Sequence, residues 1–243
     1  MYEVADRAIK DMNRRNLRAF DHLKQLKFDS LNVLGEVTKV YDNAVKLARV
    51  KYLQVAIEAF ITAVLLALAG IKKDSVPYDD DIMEDWVLDM LEDYTLLSEA
   101  KMRERIRKQA EKIITDKWVT KMLKKNDPVV LYQFLSEAER KKHRLIEALS
   151  AVKDNRGIAA NKSEEIDKAL KLWTIQTAHF ADKSVDEATA EGFMAAGIEE
   201  VKWIAVDDNR TCSTCYERDG EIYPLDEVPP KPHLRCRCEI VPA

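Results

Sequence analysis

Apolar positions recur at three- and four-residue spacing through most of this chain, and that period predicts one helix after another. From Met1 to about Lys27 the series is Val4, Ile9, Met12, Leu17, Phe20, Leu23 and Leu26, the buried stripe of an amphipathic helix. Asp29-Ser30 reads as a break and a cap for a second helix, from Leu31 to about Lys72. The first half of that helix keeps a polar face. Beyond Ala59 it is apolar almost all round, so the rest of the domain or a partner subunit has to cover it on every side. The apolar part of 55–71 follows Glu58 and is too short to span a bilayer, so a buried or oligomer-facing helix is expected there and no membrane contact.

The pattern continues beyond the turn at Asp74-Ser-Val-Pro77. Residues 79–99 are acidic around Trp86, Leu88 and Leu91, and residues 101–125 are basic, reading as one helix. These are either two solvated faces of an antiparallel helix pair that attract each other, or a basic helix turned toward nucleic acid, with Lys117, Lys121 and Lys124 as contacts. Aromatic residues do not alternate with the cations, which argues against base stacking on a single strand. Asn126-Asp127-Pro128 separates this helix from one running from Val129 to about Lys153. After a loop at 154–157, Ser163 is the expected cap of a helix that breaks near Asp182-Lys-Ser184. A shorter helix, Val185 to Ala196, then stops at Gly197. Three short strands follow, around Val201–Val206, Glu221–Tyr223 and Glu239–Val241, with Asp219-Gly220 as a tight turn. The expected fold is mainly α: a multi-helix body over 1–157, and a small C-terminal α+β module over 158–243.

Composition changes this picture little. The 243 residues carry 39 basic and 43 acidic side chains, a net charge of −4, so there is no global attraction to nucleic acid. No apolar secretory run opens the sequence, and with no export signal paired cysteines are expected to bind metal rather than to form a disulfide.

The chemistry is concentrated in the last strand-forming stretch. All four cysteines lie there, as Cys212-Ser-Thr-Cys215 and Cys236-Arg-Cys238, with His233 just ahead of the second pair. Two thiolates two residues apart can grip one tetrahedral ion from a single turn, and a second ligand pair from another loop completes a structural zinc clip. Cys212, Cys215, His233, Cys236 and Cys238 are five candidates for four places, so the expected site is closed, without the open position of a catalytic zinc. Free thiols in a packing role and disulfides are the competing readings. Catalysis is not expected. His233 has no second histidine nearby, Asp207 and Asp208 more naturally cap a turn, and a redox dithiol would open a longer helix after a strand. A zinc-dependent hydrolase is the weakest alternative.

These residues also carry a family likeness. Trp203, Asp207-Asp208, Arg210-Thr-Cys212-x-x-Cys215, Asp219-Gly220, Tyr223, Pro229-Pro230, Pro232-His233 and Cys236-Arg-Cys238, ending near Pro242, resemble the C-terminal domain of phage head-morphogenesis proteins, the Mu F-like minor head group. The likeness covers about 160–243 and is most specific over 203–242. It implies a minor structural component of a tailed-phage or prophage head that associates with the portal protein. Major capsid or scaffolding protein are further implied partners, and the implied role is in head assembly and in DNA packaging or ejection. It places the protein in the host cytoplasm during assembly and then in the virion head. Some larger relatives carry toxin or enzyme domains after this module; none is expected in the few residues after Cys238. The alternative function is a DNA-binding adaptor that uses the basic segment.

Overall fold

The computed structural model of the chain describes residues 2–26, 30–70, 98–124, 134–153, 161–209, 211–233 and 236–243. The acidic stretch before residue 98, the turn at 74–77, the break at 126–128 and the loop at 154–157 lie outside the described residues. The fold is mainly helical, with a small strand module at its C-terminal end.

Helix α2 (Ser30–Gly70) is the axis of the body, and α1 (Tyr2–Gln25), α3 (Glu99–Ile113), α4 (Asp116–Lys124), α5 (Phe134–Lys153) and α6 (Lys162–Ala195) all pack on it. Its C-terminal half shows why. Val55, Ala56, Ala59, Phe60, Ile61, Ala63, Val64, Ala67 and Leu68 are all buried, nearly every direction around the helix. By length and composition alone, the helix over Leu34–Gly70 contains an 18-residue window apolar enough to cross a membrane, and half of that window is buried inside the fold. Glu58, the charge at the edge of the apolar block, receives the guanidinium of Arg107 from α3. Arg49 likewise joins α2 to α4 through Asp116 and through Thr120 at 2.9 Å.

The centre of the body is a chain of aromatic rings. Phe20, Tyr41, Trp173 and Phe134 meet in series, and Phe134 also meets Tyr52 and Phe180, with centroids 5.3–5.6 Å apart throughout, tying α1, α2, α5 and α6 together. Mostly edge-to-face pairs of this kind add about 0.5–1.5 kcal/mol each beyond their buried area. Leu17, expected on the apolar face of α1, is exposed instead, while Asn16 is buried.

Three sequence expectations are corrected. The basic segment 101–125 is not one helix. α3 ends where Ile114 turns extended, and the Thr115 hydroxyl accepts the Trp118 N–H at 3.2 Å, capping α4. The cap of α6 is Asn161, whose side chain accepts the Ser163 N–H at 3.0 Å; Ser163 itself lies within the helix. No break occurs at 182–184, and α6 runs unbroken for 34 residues. Ser184 bonds back to the Phe180 carbonyl at 2.7 Å, and both Asp182 and Ser184 are buried. Packing against the body holds the helix where local preference would end it.

The end of α6 follows its sequence signal. Gly197 takes a φ of 72° and donates to the Met194 carbonyl, while Ile198 donates to that of Phe193, the paired bonds of a Schellman stop. That turn delivers the chain into β1 (Glu200–Ile204), the middle strand of a three-stranded sheet with β2 (Ile222–Pro224) and β3 (Glu239–Pro242) on either side, both antiparallel to it. Ala63 and Ala67 of α2, Phe193 and Ala196 at the end of α6, and Val201 of β1 form the apolar joint between body and sheet.

Candidate metal centre

The sheet register brings the two cysteine pairs together. β1 and β3 set Ile204 opposite Glu239, so the chain leaving β1 and the chain arriving at β3 lie side by side. Cys212 and Cys215 follow the first, and Cys236 and Cys238 precede the second. Between them the chain folds back onto β2. Asp219 accepts the Ala205 N–H at 2.8 Å, Gly220 (φ 82°) donates to the Trp203 carbonyl at 2.8 Å, and Trp203 donates to Glu221 at 2.9 Å.

The first pair sits on a knuckle whose backbone is closed on itself. The N–H groups of Cys215 and Tyr216 both point at the Cys212 carbonyl, at 3.1 Å, and the knuckle forms a single helical turn, α7 (Ser213–Glu217), with Cys212 at its N-cap and Cys215 within it. The paired acids brace it. Asp208 accepts the Thr211 N–H on its carbonyl at 3.1 Å and pairs with Arg237 through its carboxylate. The Tyr216 hydroxyl reaches the Asp207 carboxylate at 3.3 Å. The backbone of Asp208 closes the turn while both carboxylates engage side chains, so the expected side-chain capping of the turn is replaced by contacts to Arg237 and Tyr216.

The ligand atoms of Cys212, Cys215 and His233 lie within 4.8 Å of one another, and so do those of Cys215, Cys236 and Cys238. The two sets share Cys215, which joins the five candidates around one residue. The Cys215 and Cys236 sulfurs are 3.5 Å apart. A disulfide needs about 2.05 Å, whereas two thiolates on a tetrahedral zinc with bonds of about 2.3 Å stand about 3.8 Å apart. The separation fits shared coordination, and all four cysteines are free thiols. Cys215, Cys236 and Cys238 are buried with Trp203 in one apolar cluster; Cys212 is at its edge, and His233 is exposed.

The electrostatics divide the thiols. The Cys215 N–H, and more weakly His233, pull the Cys212 thiol below its ordinary range. Burial, with the neighbouring sulfurs adding to it, pushes Cys215 far up, and burial also raises Cys236. Crowded sulfurs in an apolar pocket cannot all ionise unless a cation joins them, and a bound divalent ion reverses the balance. The cluster can hold a metal ion.

No family model, no curated protein and no solved structure matches this chain. What the site can do is therefore set by its own residues.

The other candidates read from the sequence stand elsewhere. Lys117, Lys121 and Lys124 are exposed on α4, spaced four and three residues apart along one face. Four residues around the cluster carried no assigned role in the sequence. Arg218 lies over the Trp203 ring at 5.3 Å and donates to the Pro230 carbonyl at 2.9 Å. Lys231 sits 2.7 Å from Asp186 of α6 and 4.3 Å from the centre of the Tyr2 ring of α1. Burial draws Asp186 and Lys231 toward their neutral forms, Asp186 well above the carboxylate range and Lys231 down to about 8; their 2.7 Å contact opposes both shifts. Nothing in the sequence pointed to Asp186 or Tyr2.

Proposed function

We propose that this chain is a minor structural protein of a tailed-phage or prophage head. It associates with the portal vertex and supports head assembly and DNA packaging or ejection. The observation that carries this reading is the ordered series from Trp203 to Cys238, which resembles the Mu F-like C-terminal module. Within the fold, the members of that series serve one another. Trp203 packs on the buried cysteines, Asp208 pairs with Arg237, and Asp219-Gly220 makes the turn that leads into β2. A zinc ion in the cluster would be structural in this reading: Cys212, Cys215 and Cys236, with His233 or Cys238, would supply four protein ligands and leave no open position. The clip holds the end of the chain together, and the helical body is the part that meets portal or capsid subunits.

The test is co-expression with the portal protein of the same genome, followed by sedimentation of the portal ring. The chain is expected to travel with the ring at sub-stoichiometric amounts. A ring fraction free of the chain would remove the reading.

A second reading has one observation in its favour. The exposed row Lys117, Lys121 and Lys124 is the kind of surface that engages duplex phosphates. Salt-dependent retention on duplex DNA, abolished when all three lysines become alanine, would support an adaptor that touches packaged DNA. No retention at low salt would remove it.

A further inference from the structure

The tail and the body meet at a polar contact as well as at the apolar joint. The Asp186 carboxylate, on the last turns of α6, receives both the Lys231 ammonium at 2.7 Å and the Tyr2 hydroxyl of α1. Each of those two donors also approaches a backbone carbonyl of the second cysteine pair. Lys231 Nζ is 3.4 Å from the Cys236 carbonyl, and the Tyr2 hydroxyl is 3.5 Å from that of Cys238. The Lys231 ammonium lies over the face of the Tyr2 ring as well, which holds the two donors in one place. One carboxylate on the rigid body thus governs two donors, and the donors flank the three-residue arm that presents Cys236 and Cys238. On the opposite side Arg237, between the two cysteines, is held by Asp208 next to the knuckle.

We infer that Asp186 is a positioning residue for the metal clip: through Lys231 and Tyr2 it fixes the Cys236-Arg-Cys238 arm, so that α1 and α6 take part in setting the metal's coordination geometry. This role rests on the cluster holding a metal. It makes the clip part of the helical body in function, because ion binding and the seating of α1 share one network. Groups beyond the direct ligands commonly change metal affinity by about 10- to 100-fold, since a misdirected ligand binds with its geometry unsatisfied.

The experiment is zinc competition against a chromophoric chelator, with cobalt absorption spectra of the same proteins. It uses the full chain and the variants Asp186→Ala, Lys231→Met and Tyr2→Phe. Asp186→Ala is expected to weaken zinc binding about 10-fold or more and to alter the cobalt ligand-field bands. Lys231→Met and Tyr2→Phe should each weaken it less, and neither should weaken it further in the Asp186→Ala background. Far-UV circular dichroism should show the helices intact throughout. If Asp186→Ala does not fold, the two single-donor variants carry the test. Wild-type protein that binds no zinc would defeat the metal reading itself. Wild type that binds zinc, with variants that match its affinity and cobalt spectrum, would overturn this inference and leave the metal reading standing.

Discussion

Cys215→Ser is expected to abolish zinc binding and unfold the tail while the helical body stays folded. Cys215 is the residue common to both ligand sets, and it is fully buried. Serine in its place offers a poor zinc ligand and puts a hydroxyl into an apolar pocket beside Trp203. The structural consequence is large because the sheet is small. Its strands span five, three and four residues, and the buried cluster around the site contains Trp203 and the cysteines themselves. Structural zinc contributes about 10–16 kcal/mol of apparent binding energy in zinc-finger peptides, and that energy is folding energy where no site exists in the unfolded chain. Limited proteolysis should cut Cys215→Ser within 203–243 and leave a helical fragment with undiminished far-UV ellipticity. His233→Ala should be milder, because His233 is exposed and three of the other candidates are buried. A zinc-loaded, protease-resistant Cys215→Ser protein would contradict the assignment.

Gly192→Ala is expected to destabilise the body, against the usual sign of such a change in a helix. Alanine is preferred to glycine in helix interiors by about 1 kcal/mol. At Gly192, however, an added Cβ would stand 2.7 Å from the Ala63 Cβ and 2.9 Å from the Phe60 carbonyl oxygen of α2. Neither neighbour is the free end of a flexible side chain, so α2 and α6 have to move apart. The displaced residues include the joint of Ala63, Ala67, Phe193 and Val201 that seats the tail. Overpacking of this kind costs about 1–3 kcal/mol, and about 1 kcal/mol moves the melting temperature of a chain this size by some 2–4 °C. Gly35→Ala is the internal control. Gly35 lies within α2, whereas Gly192 is in α6, and an added Cβ at Gly35 meets nothing within 4 Å. That variant should be stabilised by about 0.5–1 kcal/mol. Thermal denaturation of the pair should therefore move in opposite directions; a stabilised Gly192→Ala protein would mean that the helices do not approach as closely as described.

These two sites show what the sequence could and could not reveal. The helix-rich body was legible because its apolar period is strong, as in α1 and in the all-round apolar half of α2. The three strands were legible because β-branched and aromatic residues cluster between turn signals. The five metal-ligand candidates were legible because their spacing is a chemical signature in itself. What failed were places where tertiary packing decides. Asp182 and Ser184 look like a helix break, but they stay in α6 because both are buried and Ser184 returns its hydroxyl to Phe180. Thr115-Asp116 is an ordinary cap signal hidden inside a run of cations, and the charge pattern draws attention away from it. Gly192 lies inside one helix and is a contact point between two, which no local pattern shows. Asp186 and Tyr2 are 184 residues apart, and no local pattern could have joined them.

The tail's role as a metal-held module depends on the cysteine–histidine cluster being a closed clip. Elemental analysis of the full chain, purified without chelator, tests this most directly. About one zinc per chain is expected, retained through gel filtration and lost together with protease resistance of residues 203–243 when a strong chelator is added. A chain that contains no metal and still shows a fully protected tail would contradict it.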